Sequence, residues 1–173
     1  MGKSPIPQHA NNPKVLPRRP ANSQQNVSAA YDVQLSKAAE AVYERFYQKA
    51  AEARDRGDPT SSHYTTLNMI DEVLEQIIPR DPFNKRYALQ GVLSGLFRMQ
   101  KGRLRICWVG NSQLRQVRVI FISETLRKQG DVNDPYRVLT GMLLSGEFNE
   151  VFEQLGLPPP AKVPRSSSHP SSQ

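Results

Sequence analysis

The chain has 173 residues, enough for one domain with a substantial core, and a formal net charge of +7. Its single cysteine, Cys107, excludes an internal disulfide and a cysteine-based zinc site in one chain, and so points to a reducing compartment. The longest apolar run, Val119 to Ile122, is far below the roughly 18–20 residues of a membrane span, and no signal-peptide pattern opens the chain, so an intracellular place, cytoplasmic or nuclear, is expected.

Residues 1–33 are rich in Pro, Asn and Gln and carry Lys3, Lys14, Arg18 and Arg19 without an acidic residue before Asp32. Such a composition buries too little apolar surface to offset ordering, so a disordered basic tail is predicted, and residues 158–173, rich in Pro and Ser, are expected to behave alike. Between the tails a single folded domain over 34–157 is predicted. From Leu35 to Arg56 apolar positions recur every three or four residues and Gly57, Asp58 and Pro59 end the pattern, which predicts a helix. A second helix is predicted from Thr66 to Ile78, stopped by Pro79, with Asp71, Glu72 and Glu75 on its polar side. Asp81 and Pro82 supply the start signal of a third, running to Gly102, with Leu89, Val92, Leu96 and Met99 inward and Tyr87, Gln90, Ser94, Arg98 and Lys101 outward. Gly91 and Gly95 inside it predict a close backbone approach.

After Gly102 the apolar period becomes two. Leu104, Ile106 and Trp108 alternate with Arg103, Arg105 and Cys107, and a turn at Gly110–Ser112 leads into a second β-rich run from Leu114 to Ile122. A hairpin is predicted, with Val117, Val119 and Phe121 sharing its inner face and Arg103, Arg105, Gln116 and Arg118 on the other. A short turn from Ser123 through Lys128 and a helix opened by Asp134 and Pro135 follow, with a last apolar stripe ending at Gly156. Asp81–Phe97 and Asp134–Phe148 share a loose pattern that fits either a duplicated helix or chance.

Charge is segregated along this order. The tails hold six of the seven net positive charges, yet from Pro82 to Ser123 there are eight basic side chains and no acidic one: Lys85, Arg86, Arg98, Lys101, Arg103, Arg105, Arg115 and Arg118. A folded surface of one sign implies an anionic partner. Catalytic candidates are few. His9 and His169 lie in the tails, His63 stands alone before a helix, Cys107 alternates with core residues, and Asp71, Glu72 and Glu75 read as a solvated helix face. No cofactor or metal set is found, and the residues predict a protein that is not an enzyme.

The order of an acidic-faced helix (Leu67 to Ile78), a helix with basic and polar residues outward (Asp81 to Lys101) and a basic hairpin (Arg103 to Ile122) resembles that of winged-helix domains, and the run VLSGLFRMQKGRLRI is similar to a recognition helix passing into a wing strand. The resemblance implies an α+β, mainly α-helical fold with one β-hairpin. It further implies that Tyr87, Gln90, Ser94 and Arg98 face bases and that Lys101, Arg103, Arg105, Arg115 and Arg118 meet phosphate, with Lys85 and Arg86 beside them. The expected function is non-enzymatic binding of DNA or RNA, regulatory or packaging. The alternative is an accessory, adaptor or matrix-like assembly protein whose basic face meets an acidic protein or anionic membrane surface. A homo-oligomer, with the basic face against the acidic helix of a second copy, is a further possibility.

Overall fold

Ser36 marks the first turning point of the chain: its hydroxyl accepts from the Ala39 amide at 3.2 Å and caps α1 (Lys37–Asp55), so the residues before it are released to a strand, β1 (Asp32–Leu35). The computed structural model describes residues 30–58, 60–124 and 131–159. The predicted tails lie mostly outside these residues, as does nearly all of the turn expected after Ser123. Ser61 caps α2 (Ser62–Glu72) in the same manner, and α2 continues as a π-helical turn over Val73–Ile77.

The predicted third helix is not formed. Asn84 accepts from the Arg86 amide at 3.1 Å and starts a single 3-10 turn, Lys85–Tyr87. A second 3-10 turn, Gly91–Leu93, follows, and Gly91 and Gly95 adopt φ of 66° and 90°, values that an α-helix of L-residues does not contain. The chain then extends into β2 (Phe97–Lys101). The glycines therefore break a helix instead of letting one pack closely, and of the two segments thought to be duplicated only Asp134–Phe148 is helical.

β2 turns through Gly102 and Arg103 into β3 (Leu104–Asn111), which pairs antiparallel with β4 (Gln116–Ser123). β1 adds parallel to β4, giving a mixed sheet in the order β1-β4-β3-β2. This four-stranded sheet with helices overturns the mainly helical, winged-helix-like domain with one hairpin. The single hairpin missed β1 and β2 because both are short: Asp32 and Val33 fall in the predicted tail, Leu35 at the start of a predicted helix and Phe97–Lys101 at the end of the predicted third helix, although each strand alternates apolar and polar residues.

One face of the sheet, bearing Ile106, Trp108, Val117, Val119 and Ile122, packs on α1 and α2 through Ala39, Tyr43, Leu67 and Ile70. The other, bearing Cys107, Val109, Ile120 and Phe121, is covered by α3 (Pro135–Ser145) and α4 (Asn149–Gln154) through Leu139, Leu143, Phe148 and Phe152. A register shift at Cys107/Trp108 moves Phe121 to the second face and places Ile122 opposite Ile106 on the first, correcting the predicted inner set. Among the described residues no helix is long and apolar enough to cross a membrane.

Candidate functional site

The eight basic residues do not converge on one surface. Arg115, at φ 54° in the β3–β4 turn, lies over the Tyr31 ring at 4.6 Å. Arg118 is half-buried toward the β1 edge, opposite Val109 and Gln34. Lys85 and Arg86 are exposed on the first 3-10 turn, with the Arg86 guanidinium over the Tyr87 ring. Tyr87 itself is buried edge-on against Trp108, and Gln90 and Ser94 lie on the exposed loop before β2. None of these seven can act with the others as one recognition-helix face, because that helix does not exist.

Of the remaining four, Arg103 lies in the β2–β3 turn and Arg98, Lys101 and Arg105 on the two strands it joins. Strand alternation places Arg98 and Gln100 on the second face of β2, where they stand opposite Cys107 and Arg105 of β3. Ser123, at the end of β4, is opposite Arg105 on its other side. Lys101 points to the first face and is paired with Glu72 at 2.6 Å, while Arg103 is exposed in the turn. Arg105 is only 5% exposed, and its Nη1 donates to the Arg103 carbonyl at 3.0 Å, so the guanidinium is held rather than free to sweep the surface.

A tyrosine that the sequence reading passed over completes the group. Asp134 caps α3 by accepting from the Tyr136 and Arg137 amides at 2.9 and 3.3 Å, which sets Tyr136 in the first turn of that helix. There the Arg98 guanidinium donates to the Tyr136 hydroxyl and sits 5.6 Å from its ring centroid. The available signal was the Asp134-Pro135 cap itself, which determines where the next residue begins the helix. Without the sheet nothing linked it to Arg98, 38 positions away.

Cys107 lies beneath these groups. Burial pushes its thiol up to about 12, an effect that Arg98 and Arg105 oppose, so it stays a neutral core side chain and not a nucleophile. Nearby carboxylates are engaged elsewhere: Glu124 accepts from the Thr66 hydroxyl at 2.9 Å and Asp134 caps α3. Among the described residues no three His, Cys, Asp or Glu side chains gather as metal ligands. The chemistry on offer is therefore two held guanidiniums, a phenol hydroxyl and an exposed amide, a set suited to binding a phosphate and to donating protons toward it.

A model of the YhaV family, described as toxins with endonuclease activity of toxin–antitoxin systems, matches residues 30–157. No curated protein matches the chain. Among solved structures, the toxin–antitoxin complex RelBE2 from Mycobacterium tuberculosis is similar at a TM-score of 0.41 and 14% identity, over 57% of this chain and 95% of that one. The family's endonuclease activity overturns the expectation of a non-enzymatic regulatory or packaging protein, and with it the accessory, adaptor or matrix-like alternative. It replaces the winged-helix resemblance as well, since that rested on an element order the fold does not contain. By this match over most of its length, the chain belongs to the YhaV family of toxins with endonuclease activity.

Proposed function

We propose that this chain is an endonuclease toxin that cleaves RNA at the Arg98, Arg105 and Tyr136 cluster. The observation that carries the reading is the Arg98–Tyr136 hydrogen bond on the sheet face that also bears the held Arg105, two residues from Arg98's cross-strand partner Cys107. RNA brings its own nucleophile, the 2′-hydroxyl next to the scissile phosphate. Its attack on phosphorus breaks the P–O5′ bond and leaves a 2′,3′-cyclic phosphate and a 5′-hydroxyl. The protein has then to stabilise added negative charge on the phosphoryl oxygens and to protonate the departing O5′.

Arg98 and Arg105 fit the first task. Tyr136 fits the second, because its oxygen accepts from Arg98 and its own proton is directed away from that guanidinium. The 2′-proton passes to solvent. Gln100 and Arg103, both exposed beside this group, contact the neighbouring nucleotides. The substrate is met in the cytoplasm, and the protein partner is an antitoxin.

Tyr136→Phe keeps the ring and removes the proton, so it should lower kcat on an RNA oligonucleotide by about 10²-fold with little change in KM. A single 2′-deoxy substitution at the cleaved nucleotide should abolish the cut. Equal cleavage of the deoxy-substituted strand would overturn the mechanism.

A further inference from the structure

A groove of about 390 Å³ runs between α1 and α3 above the end of β4. Its walls are formed by Ala38 and Val42 of α1, Val138 and Met142 of α3, and Ile120 and Phe121 beneath them. Arg45, Ser123 and Asn133 supply polar lining. Beside it Val138 is 39% exposed, Val132 just before that helix is 67% exposed, and a side chain at Gly141 would meet open space. Exposed apolar side chains beside a groove with basic residues at its border mark a protein contact.

The rim is cationic. Arg45 lines the groove and Lys49 stands one turn further along the same side of α1, while Arg137 is exposed beside Val138 on α3. The exposed carboxylates Glu52 and Asp55 lie at the far end of α1, where Arg56 and Arg54 are within 3.9 and 3.0 Å of them. Position adds a functional consequence. Pro135 and Val138, both in the groove wall, flank Tyr136 in the chain, and Ser123, another lining residue, is the cross-strand partner of Arg105.

We propose that the groove between α1 and α3 receives an acidic, apolar-faced segment of the antitoxin, placing the inhibitor against α3, the helix that carries Tyr136. The proposal rests on membership of a toxin–antitoxin family and not on RNA being the substrate. Apolar side chains of the segment fill the space between Val42, Val138 and Met142, and its carboxylates meet Arg45, Lys49 and Arg137. Occupation of the groove fixes α3 against α1.

The test uses the full chain, the antitoxin of the same pair, and the variants Val138→Glu and Arg45→Glu, both at exposed positions outside the catalytic group. Calorimetry should show antitoxin affinity reduced by about 100-fold in Val138→Glu and by about tenfold in Arg45→Glu, through a charge placed in an apolar contact and a reversed rim charge. Both variants should melt as the parent does and cleave RNA at the parental rate, but with cleavage no longer suppressed by stoichiometric antitoxin. Affinity within about threefold of the parent in both folded variants would overturn the proposal. So would light scattering that shows the chain alone to be a dimer dissociated by Val138→Glu, because the groove would then belong to a second copy. Binding is read by calorimetry independently of cleavage, so a parent chain that leaves RNA intact would remove the catalytic reading without touching this one.

Discussion

Asp71 sits in the contact between α1 and α2, where one carboxylate oxygen accepts from the Tyr43 hydroxyl at 2.8 Å. Burial, with Glu75 adding to it, pushes the carboxyl up to about 6, and the Tyr43 hydrogen bond pulls the other way. Tyr43 is raised too, first by its own burial and then by Asp71. Because the folded value of Asp71 lies above the roughly 3.9 of an unfolded chain, its protonation stabilises the fold fully below about pH 4, and that contribution is lost as pH rises through about 6. Asp71→Asn keeps an acceptor for Tyr43 and removes the charge. It should therefore raise stability on the order of 1–2 kcal/mol at pH 8 and leave it unchanged at pH 4, as urea denaturation at the two values will read. Equal effects at both pH values would refute the burial account. The sequence placed this residue with Glu72 and Glu75 on a solvated face. Leu67, Ile70, Asp71 and Leu74 in fact share the buried side of α2 and its extension, and an ionisable side chain at that spacing does not declare that it is covered.

The same two-residue signal opens a helix at one place and not at another. Asp134-Pro135 starts α3, with Asp134 accepting from two backbone amides, whereas Asp81-Pro82 starts no α-helix. There the Asp81 side chain accepts from Asn84 Nδ2 at 2.7 Å, and the Pro82 carbonyl accepts from the Trp108 indole at 2.9 Å. Ten residues of helix beyond Asp81 would also require Gly91 to leave its left-handed conformation, and the aromatic contacts of Phe83 and Tyr87 with Phe97 and Trp108 would be lost. Capping motifs report how a helix would begin, but tertiary contacts determine whether it does. Asp134→Ala should thus lower stability by about 0.5–2 kcal/mol, while Asp81→Ala, at an exposed site with no amide to cap, should cost under about 0.5 kcal/mol. Thermal melts of the two variants will separate them, and equal losses would contradict this description of the 81–101 segment.

Across the whole molecule, the +7 charge divides between a nearly neutral folded part and the two ends, where Lys3, Lys14, Arg18, Arg19, Lys162 and Arg165 meet no acidic residue. If Arg98, Arg103 and Arg105 each meet a phosphate, the affinity of residues 30–159 for single-stranded RNA should fall with a log–log salt slope of about −2, and the full chain should show a steeper slope. Filter binding across a salt series measures both. Identical slopes would mean that the ends contribute nothing to substrate binding. The truncated chain should keep its melting temperature, because the residues of both cores lie within 30–159.

Composition and period by themselves determined where charge accumulates, that residues 104–122 form a β-hairpin, and that helices begin near Leu35 and at Asp134, because each depends on local chemistry: periodicity, capping, and the absence of acidic residues. Sequence spacing cannot show which residues meet across strands. Only the sheet brought Arg98 to the face that bears Arg105, buried Arg105, and carried Tyr136 to Arg98, while its bulge at Cys107/Trp108 reversed the face of Phe121. The proposed catalytic group was missed for that reason. Its basic members were visible as a run of eight charges, but the selection of two of them, and the phenol that joins them, depends on strand register and on the docking of α3, which are properties of the folded chain alone.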